Sequence, residues 1–227
     1  QEQFNLIGAG RRNLIINGDM RIDQRNNGSS ITGHAKKGVD RFMTQSSNTS
    51  IVSQRVSDAP DGFQWSLKLT NGGTDNVGTS YREIRYVIEG YDISAWDKNN
   101  QSLILSFWVK SSLAGTYQGM VRTDSGTDYY FGLSFDLAAD TWTKVERVIP
   151  PDPRPTLSSD NLAGMSIFIV PYYGTNYTSS ASGNWQTSYS SVLDNYPQNW
   201  ANTSNATFNI TGVQLELGKV ATPFEHR

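Results

Sequence analysis

The chain has 227 residues, of which 37% are hydrophobic and 18% are charged, and its formal net charge is −2. This charge balance indicates no basic surface for nucleic acid, and the longest apolar runs fall far short of the roughly 18 residues that a membrane-spanning helix needs. The absence of cysteine excludes disulfides and thiolate metal sites, and the polar, tyrosine-rich composition favours an all-β domain.

Apolar and polar residues alternate along much of the chain, which is the period-two pattern of half-buried strands. The clearest examples are FQWSLKLT at 63–70, REIRYVIEG at 82–90 and DYYFGLSFDL at 128–137. Two further runs, SLILSFWVK and MSIFIV, are apolar on both faces, as in central strands of a sandwich. In chain order, the predicted strands are 13–17, 39–44, 50–57, 63–70, 82–90, 102–110, 116–124, 128–137, 141–149, 165–170 and 206–217.

Turn signals separate these strands, including Asn-Gly at 17–18 and 27–28 and the PPDPRP segment at 150–155. Only YDISAWDKN at 91–99 indicates a short helical turn. Many short strands without a long amphipathic helix predict an all-β fold, a β-sandwich of the jelly-roll type.

The last predicted strand changes phase partway along. Phe208 and Ile210 share one face, but the next apolar residue is Val213, one position later than strict alternation allows. A β-bulge inserts one extra residue and restores the phase, and glycine suits that position. We therefore predict a core strand with a bulge at Thr211-Gly212.

Several stretches resemble the distal domains of phage tail fibres. They are RRNLIINGDMRIDQRNNG at 11–28, DRF at 40–42, SFWVKSSLAGTY at 106–117, TW at 141–142 and ITGVQLELGKVATPFEHR at 210–227. The match follows the same order over nearly the whole chain, and its ending is its most specific part. More distantly, NLIINGD, SFWVKS and TWTK are similar to β-sandwich carbohydrate-binding modules of glycoside hydrolases, which share a galactose-binding-like jelly roll.

The resemblance implies a galactose-binding-like jelly roll, a homotrimer, and a domain that binds its target without chemistry. In the carbohydrate-binding modules, a carboxylate after the first turn and another on the last strand often hold a structural calcium ion. Met20-Arg21 and Thr211-Gly212 stand at those places here. Asp19 is then the one carboxylate left to act as a ligand, and no calcium site is predicted.

The sequence gives little support to catalysis. It has two histidines, far apart, with no cysteine and no Gly-x-Ser-x-Gly elbow, so no nucleophile with an adjacent base is indicated. Carboxylate pairs that could cleave glycosides are formally present as Asp124 with Asp128 and Glu83 with Glu89. Such residues on strands and turns are usually solvated, and we predict no enzyme activity, no metal and no cofactor.

Residues 171–207 have the composition of a recognition surface. They include five of the eleven tyrosines, two of the six tryptophans and a single charged residue, Asp194, among many Ser, Thr, Asn and Gly. Tyrosine and tryptophan supply large contacts at low entropic cost, and small polar residues supply adaptable hydrogen bonds. A segment of this length without regular structure is usually functional or flexible.

We therefore predict that the aromatic residues of this segment, together with one tyrosine outside it, contact a ligand. The predicted ligand-binding residues are Tyr172, Tyr173, Tyr177, Trp185, Tyr189, Tyr196, Trp200 and Tyr117. The alternative is that they fix the segment to the sandwich or to a neighbouring subunit, where aromatics are also enriched. Trp65, Trp108 and Trp142, in predicted strands or at their starts, are expected in the core.

Three functions are consistent with the sequence. The first is a receptor-binding domain of a phage tail fibre, extracellular on the virion, that binds a host cell-surface glycan or outer-membrane receptor. Its other partners would be two further copies of the chain and neighbouring fibre or tail proteins, without nucleic acid or membrane insertion. The second is a structural virion decoration or fibre protein, and the third is a carbohydrate-binding module of a polysaccharide-degrading enzyme.

The organisation that we expect is simple. Residues 1–12 would connect to an upstream part of a longer fibre protein, 13–217 would form the sandwich, and 218–227 would form a C-terminal tail. The chain does not begin with Met, which is consistent with its being a piece of a longer protein.

Overall fold

The computed structural model describes residues 12–75, 78–124 and 126–227, so most of the predicted connection at 1–12 lies outside the described residues. The described residues form one short helix, α1 (Gly90–Ile93), two 3-10 turns (Tyr189–Val192 and Trp200–Asn202), and twelve strands. The strands are β1 (Ile31–Thr32), β2 (Lys36–Val39), β3 (Phe42–Ser46), β4 (Val52–Val56), β5 (Ser66–Thr70), β6 (Tyr81–Glu89), β7 (Leu103–Ser111), β8 (Gly115–Thr123), β9 (Tyr129–Leu137), β10 (Thr143–Ile149), β11 (Ala163–Tyr173) and β12 (Thr207–Leu217).

These strands form two sheets in which every neighbouring pair is antiparallel. In the described chain the first sheet has the order β1-β4-β5-β12-β7-β10, and the second has the order β2-β3-β6-β11-β8-β9. Consecutive strands pass repeatedly from one sheet to the other, as in a jelly roll. The predicted β-sandwich is therefore confirmed. No helix within the described ranges is long and apolar enough to cross a bilayer.

The core lies between the sheets and follows the alternation in the sequence. Ile84, Tyr86 and Ile88 of β6 are buried together, as predicted. Phe131 and Phe135 of β9, in the same sheet, are buried on the same side, and their polar neighbours face away from the core. The ring of Phe107 in β7 of the first sheet lies 5.4 Å from that of Phe135 across the core. Burial of alternate apolar side chains supplies the main favourable term, at roughly 25 cal/mol per Å² of apolar surface.

The bulge in β12 is present where the sequence predicts it. The pairing of β12 with β7 shifts register between Thr211 and Gln214, and Gly212 has φ 62°. The extra residue returns Val213 to the buried face that Ile210 occupies before it. β12 therefore stays buried on both sides of the bulge, paired with β5 only before it and with β7 on both sides of it.

Residues 13–17, predicted as a strand, form no sheet ladder. The side-chain oxygen of Asn13 accepts hydrogen bonds from the backbone N–H groups of Ile15 (2.9 Å) and Leu215 (3.2 Å). A polar side chain that takes backbone donors competes with sheet pairing. The chain then turns at Asn17, which has φ 61°.

The strand predicted at 39–44 is a hairpin. β2 ends at Val39, β3 begins at Phe42, and Arg41 between them has φ 74°. A left-handed residue ends an extended strand, so the prediction merged two strands into one. The predicted helical turn at 91–99 corresponds to α1 and the turns that follow it.

The C-terminal residues pack against the first described residues. The N–H of Asn17 donates to the carbonyl oxygen of Arg227 (2.9 Å). The side chain of Glu225 accepts from the N–H groups of Arg12 (2.9 Å) and Asn13 (3.2 Å). These bonds, rather than strand pairing, hold residues 218–227 on the sandwich.

The bulge yields a prediction. A Cβ atom at Gly212 would lie 2.6 Å from the ring of Phe63 and 3.1 Å from that of Trp108. Since positive φ and a steric clash add, Gly212→Ala should lower the free energy of unfolding by about 2–4 kcal/mol in urea denaturation. Gly183→Ala is the control, because Gly183 has φ 70° with no heavy atom within 4 Å, and it should cost only about 1 kcal/mol. Equal losses would show that the close approach contributes nothing.

Candidate functional site

The face of the second sheet that points away from the core has its own apolar cluster. Phe168 of β11 pairs in register with Arg85 of β6 and with Met120 of β8, so these side chains lie side by side. The cluster consists of Met120, Phe168, Val170, Tyr173, Val192 and Leu193. Its burial requires that a further segment cover part of this face.

That covering segment is residues 174–206, between β11 and β12, and we call it the cover. Two pairs of hydrogen bonds are prominent among those that fix it to the second sheet. Tyr130 and Gln186 exchange both backbone hydrogen bonds (2.7 and 2.8 Å). The side-chain amide of Gln118 bonds the N–H and the carbonyl of Asp194 (both 2.7 Å). Hydrogen bonds thus fix the cover to the second sheet, while the apolar residues of the cover pack against the outer face of that sheet.

Gly132 of β9 allows the cover to approach the sheet closely. A Cβ atom at this position would lie 1.9 Å from the carbonyl oxygen of Val192. Glycine within a strand commonly marks such a close backbone approach. Any other residue here would push the cover outward.

Beside the cover, the sheet face stays open as a groove of about 300 Å³. Strands β3, β6, β8, β9 and β11 supply its floor and walls, and the cover supplies one rim. The lining residues are Gln45, Tyr81, Glu83, Arg85, Met120, Arg122, Tyr130, Phe168, Tyr173, Tyr177 and Tyr189.

The five tyrosines of the groove form a continuous row of ring contacts. Ring centroids are 6.1 Å apart for Tyr130 and Tyr189, 6.3 Å for Tyr189 and Tyr177, and 5.8 Å for Tyr177 and either Tyr173 or Tyr81. The hydroxyl groups of Tyr81, Tyr177 and Tyr189 make no hydrogen bond to any described residue. These three hydroxyl groups are therefore available to a ligand.

Two arginines lie on either side of Phe168 on the floor. The guanidinium carbons of Arg85 and Arg122 are each 5.5 Å from the centre of its ring. Asp124 pairs with both guanidinium groups, directly with Arg122 and at 3.9 Å with Arg85. Stacking and ion pairing together fix both planes.

Glu83 is the acid that lines the groove, and it is buried. Its carboxylate accepts a short hydrogen bond from the hydroxyl of Tyr173. Burial raises the pKa of Glu83, and this effect outweighs the Tyr173 hydrogen bond and the charges of Arg85 and Arg122, which lower it. Burial, and next the charge of Glu83, raise the pKa of Tyr173 well above its ordinary value, so Tyr173 keeps its proton.

The structure brings Tyr173, Tyr177 and Tyr189 of the predicted ligand-binding residues to the groove. Tyr189 is 36% exposed and stands on the rim. Tyr172 and Tyr196 do not line the groove. Their ring centroids lie 5.6 Å apart, and the Tyr196 hydroxyl donates to a backbone carbonyl of β11 (3.0 Å).

The remaining three, Trp185, Trp200 and Tyr117, lie in the core, with exposed fractions of 1%, 0% and 0%. Each satisfies its polar group internally. The indole N–H groups of the tryptophans donate to the carbonyls of Pro150 (3.1 Å) and Thr207 (3.3 Å), and the Tyr117 hydroxyl donates to the carbonyl of Leu113 in the loop before β8 (2.8 Å). A ligand at the surface cannot reach these three side chains, so for them the alternative of packing onto the sandwich applies.

The prediction omits much of the groove, including Arg85, Arg122, Phe168 and Tyr130. A signal for part of it exists in β6, where Tyr81 and every second residue after it project opposite the apolar face. That signal shows which residues of β6 share a face. It does not show which residues of β11 and β8 lie beside them, because that depends on how the strands pair.

Of the three tryptophans expected in the core, Trp65 packs at its edge, whereas Trp108 and Trp142 lie outside it. All three are only partly buried, and Trp108 lies on the face of β7 opposite the core residues Phe107 and Val109. The guanidinium carbon of Arg55 is 4.5 Å from the Trp65 ring centre, and the ammonium of Lys110 is 5.2 Å from that of Trp142. Each of these two rings is thus in contact with a cation rather than with the second sheet.

Asp19, the carboxylate that the resemblance offers to calcium, has other partners. It lies 2.7 Å from the Nδ1 atom of His226 and 3.2 Å from the guanidinium of Arg21. Across the ranges that the structure describes, no three His, Asp or Glu side chains are grouped to hold a metal ion.

No protein-family model matches the chain, and no curated protein matches it. Among solved structures, it is similar to a candidate sugar-binding protein from Bacteroides thetaiotaomicron, with 12% identity, a TM-score of 0.49, and coverage of 90% of this chain and 99% of that one. It is also similar to the CBM22-1 xylan-binding domain of Paenibacillus barcinonensis Xyn10C, with 10% identity, a TM-score of 0.41, and coverage of 86% and 97%. A family 16 carbohydrate-binding module has 18% identity, a TM-score of 0.37, and coverage of 72% and 84%. Because these scores are low, the fold assignment rests on the strand pairing of this chain.

Alanine substitutions of core and groove aromatics should differ in their effect on the free energy of unfolding. Trp200→Ala should lower the free energy of unfolding by about 3–5 kcal/mol, because it empties a fully buried site. Tyr189→Ala should cost less than about 1 kcal/mol, because its side chain stands on the rim. Denaturant unfolding of both variants checks this, and equal costs would contradict the burial described here.

The raised pKa of Glu83 has a consequence for stability. The folded state favours the protonated form of Glu83. The contribution of this acid to the free energy of unfolding is therefore fully present below its pKa in the unfolded chain, and it is lost as pH rises through its pKa in the folded chain. The melting temperature of Glu83→Gln should therefore equal that of the parent at about pH 4 and exceed it at about pH 8. Glu146→Gln, on the exposed face of β10, is the control. A Glu83→Gln difference that is the same at both pH values would contradict the raised pKa.

Proposed function

We propose that this chain is a non-catalytic, glycan-binding domain of a phage tail fibre, which attaches the virion to the surface of its host. The observation that carries the glycan part is the groove beside the cover, with its row of five tyrosines. The tail fibre part rests on the sequence motifs at 11–28 and 210–227.

The chemistry of the groove suits a saccharide. Tyrosine rings offer flat apolar faces to the C–H groups of a sugar ring, and three free hydroxyl groups can pair with sugar hydroxyls. The volume of about 300 Å³ is at the low end of small-molecule sites, which span roughly 300–1,000 Å³. It therefore suits a short saccharide or the end of a glycan chain.

The weak binding expected of one small site explains why a fibre would present several. A single site of about millimolar affinity gives only about −4 kcal/mol. A homotrimer, as the resemblance implies, carries three sites on one fibre, and avidity can gain on the order of 10²–10⁴ without new contacts. Trimer formation is part of the proposal.

A second candidate is a carbohydrate-binding module from a polysaccharide-degrading enzyme. The observation that favours it is the row of tyrosine rings in the groove, since such a module would bind its polysaccharide on an aromatic surface. A module of this kind would be a monomer. The mass of the protein in solution therefore separates the two candidates.

The test is binding of the purified protein to a glycan array and to intact host cells. Tyr189→Ala and Tyr177→Ala should each weaken glycan binding about tenfold with little change in melting temperature, since an aromatic ring contact contributes about 0.5–1.5 kcal/mol beyond the area that it buries. Tyr91→Ala is the matched control, because Tyr91 is 66% exposed and does not line the groove.

Full binding by both groove variants would move the site elsewhere. A folded protein that binds neither glycans nor cells would favour the structural virion role. A trimer that binds cells, with binding weakened in Tyr189→Ala, is the result that the proposal requires.

A further inference from the structure

We infer that the saccharide bound in this groove carries a carboxylate, which lies against the guanidinium groups of Arg85 and Arg122. The inference rests on the proposed glycan-binding function and specifies the class of glycan. It follows from the position of the two arginines, from the unused donor of Arg85 and from the charges that face the groove.

The two guanidinium groups are held in place before any ligand arrives. Arg85 and Arg122 project from β6 and β8, on opposite sides of Phe168, and each side chain is 21% exposed. Both stack at 5.5 Å on the Phe168 ring. Because the planes are fixed, binding a ligand costs little side-chain entropy.

The two arginines differ in how many of their donors are already paired. Nε and Nη2 of Arg85 donate to the hydroxyl of Ser166 (3.3 and 3.0 Å), and its Nη1 has no hydrogen-bond partner among the described residues. Nη2 of Arg122 pairs with Asp124, its Nη1 lies 3.9 Å from Asp128, and its guanidinium also bonds the side chain of Tyr130. Arg85 therefore keeps one terminal nitrogen for a ligand, and Arg122 adds a second positive charge beside it.

The charges that line the groove favour an anion. The two arginines line it, whereas their ion-pair partners Asp124 and Asp128 do not. Glu83 is the acid in the lining, and its carboxylate is buried against the Tyr173 hydroxyl. A bound anion thus meets guanidinium groups before it meets a carboxylate.

The choice of arginine points to a planar anion. A guanidinium presents a fork of donors that matches a carboxylate in a bidentate pair, whereas a lysine acts as a compact point charge. Both cations in the lining are arginines. Tyr130 and the other groove tyrosines would then contact the sugar ring beside its acidic group.

The test is an array of acidic saccharides, each presented beside its own methyl ester, together with sulfated saccharides, at about 50 mM salt. The free acids should bind at least about tenfold more tightly than their esters, the effect expected of a charge-assisted hydrogen bond. Arg85→Met should reduce this ratio to less than about threefold, and Arg85→Lys should retain part of it.

The matched control is Arg25→Met, because Arg25 pairs with Asp40 at the surface and does not line the groove. It should keep the full ratio, and melting curves verify that each variant is folded. Equal binding of acids and esters, or binding of sulfated saccharides alone, would overturn the inference and leave glycan binding in place. Binding of no saccharide would contradict the proposed function as well.

Discussion

The groove exists because a β-sheet has two faces, and this domain buries only part of the outer face of its second sheet. The inner face of the second sheet closes the sandwich core, while Phe168 and Met120 make its outer face apolar as well. Val192 and Leu193 of the cover shield one part of that face, and Gly132 lets them come close. The cover ends its contact before the arginines, so the remainder of the face becomes a groove with an apolar floor and polar edges.

The same constraint explains the unusual side chains of the groove. A polar group on a half-covered sheet face loses water and must find a partner. The carboxylate of Glu83 accepts a hydrogen bond from Tyr173, and Arg122 pairs with Asp124, so both groups have partners within the domain. These partners fix polar atoms in the groove beside its apolar floor.

Much of the fold could be predicted from the sequence, because strand alternation is a local pattern. β6 and β9 follow it, and even the bulge at Gly212 is visible as a change of phase. The site is harder to predict from the sequence. The density of aromatics at 171–207 indicates either a ligand surface or a packing surface, and the segment contains both: Tyr177 and Tyr189 line the groove, while Trp185 and Trp200 are buried. Composition cannot separate these roles, since each depends on partners far away in the chain. The arginines were missed for the same reason, because their proximity is a matter of strand register.

The placement of Trp185 and Trp200 has a consequence for how this domain can change. The two side chains act as anchors inside the sandwich, and the residues just before Trp185, at 180–184, are exposed. Substitutions at these exposed positions alter the surface near the groove without touching the anchors, so they carry little penalty in stability. A domain with this division tolerates rapid diversification of its outer loop on a constant frame. If the groove binds a host glycan, a change of host requires few mutations and no new fold.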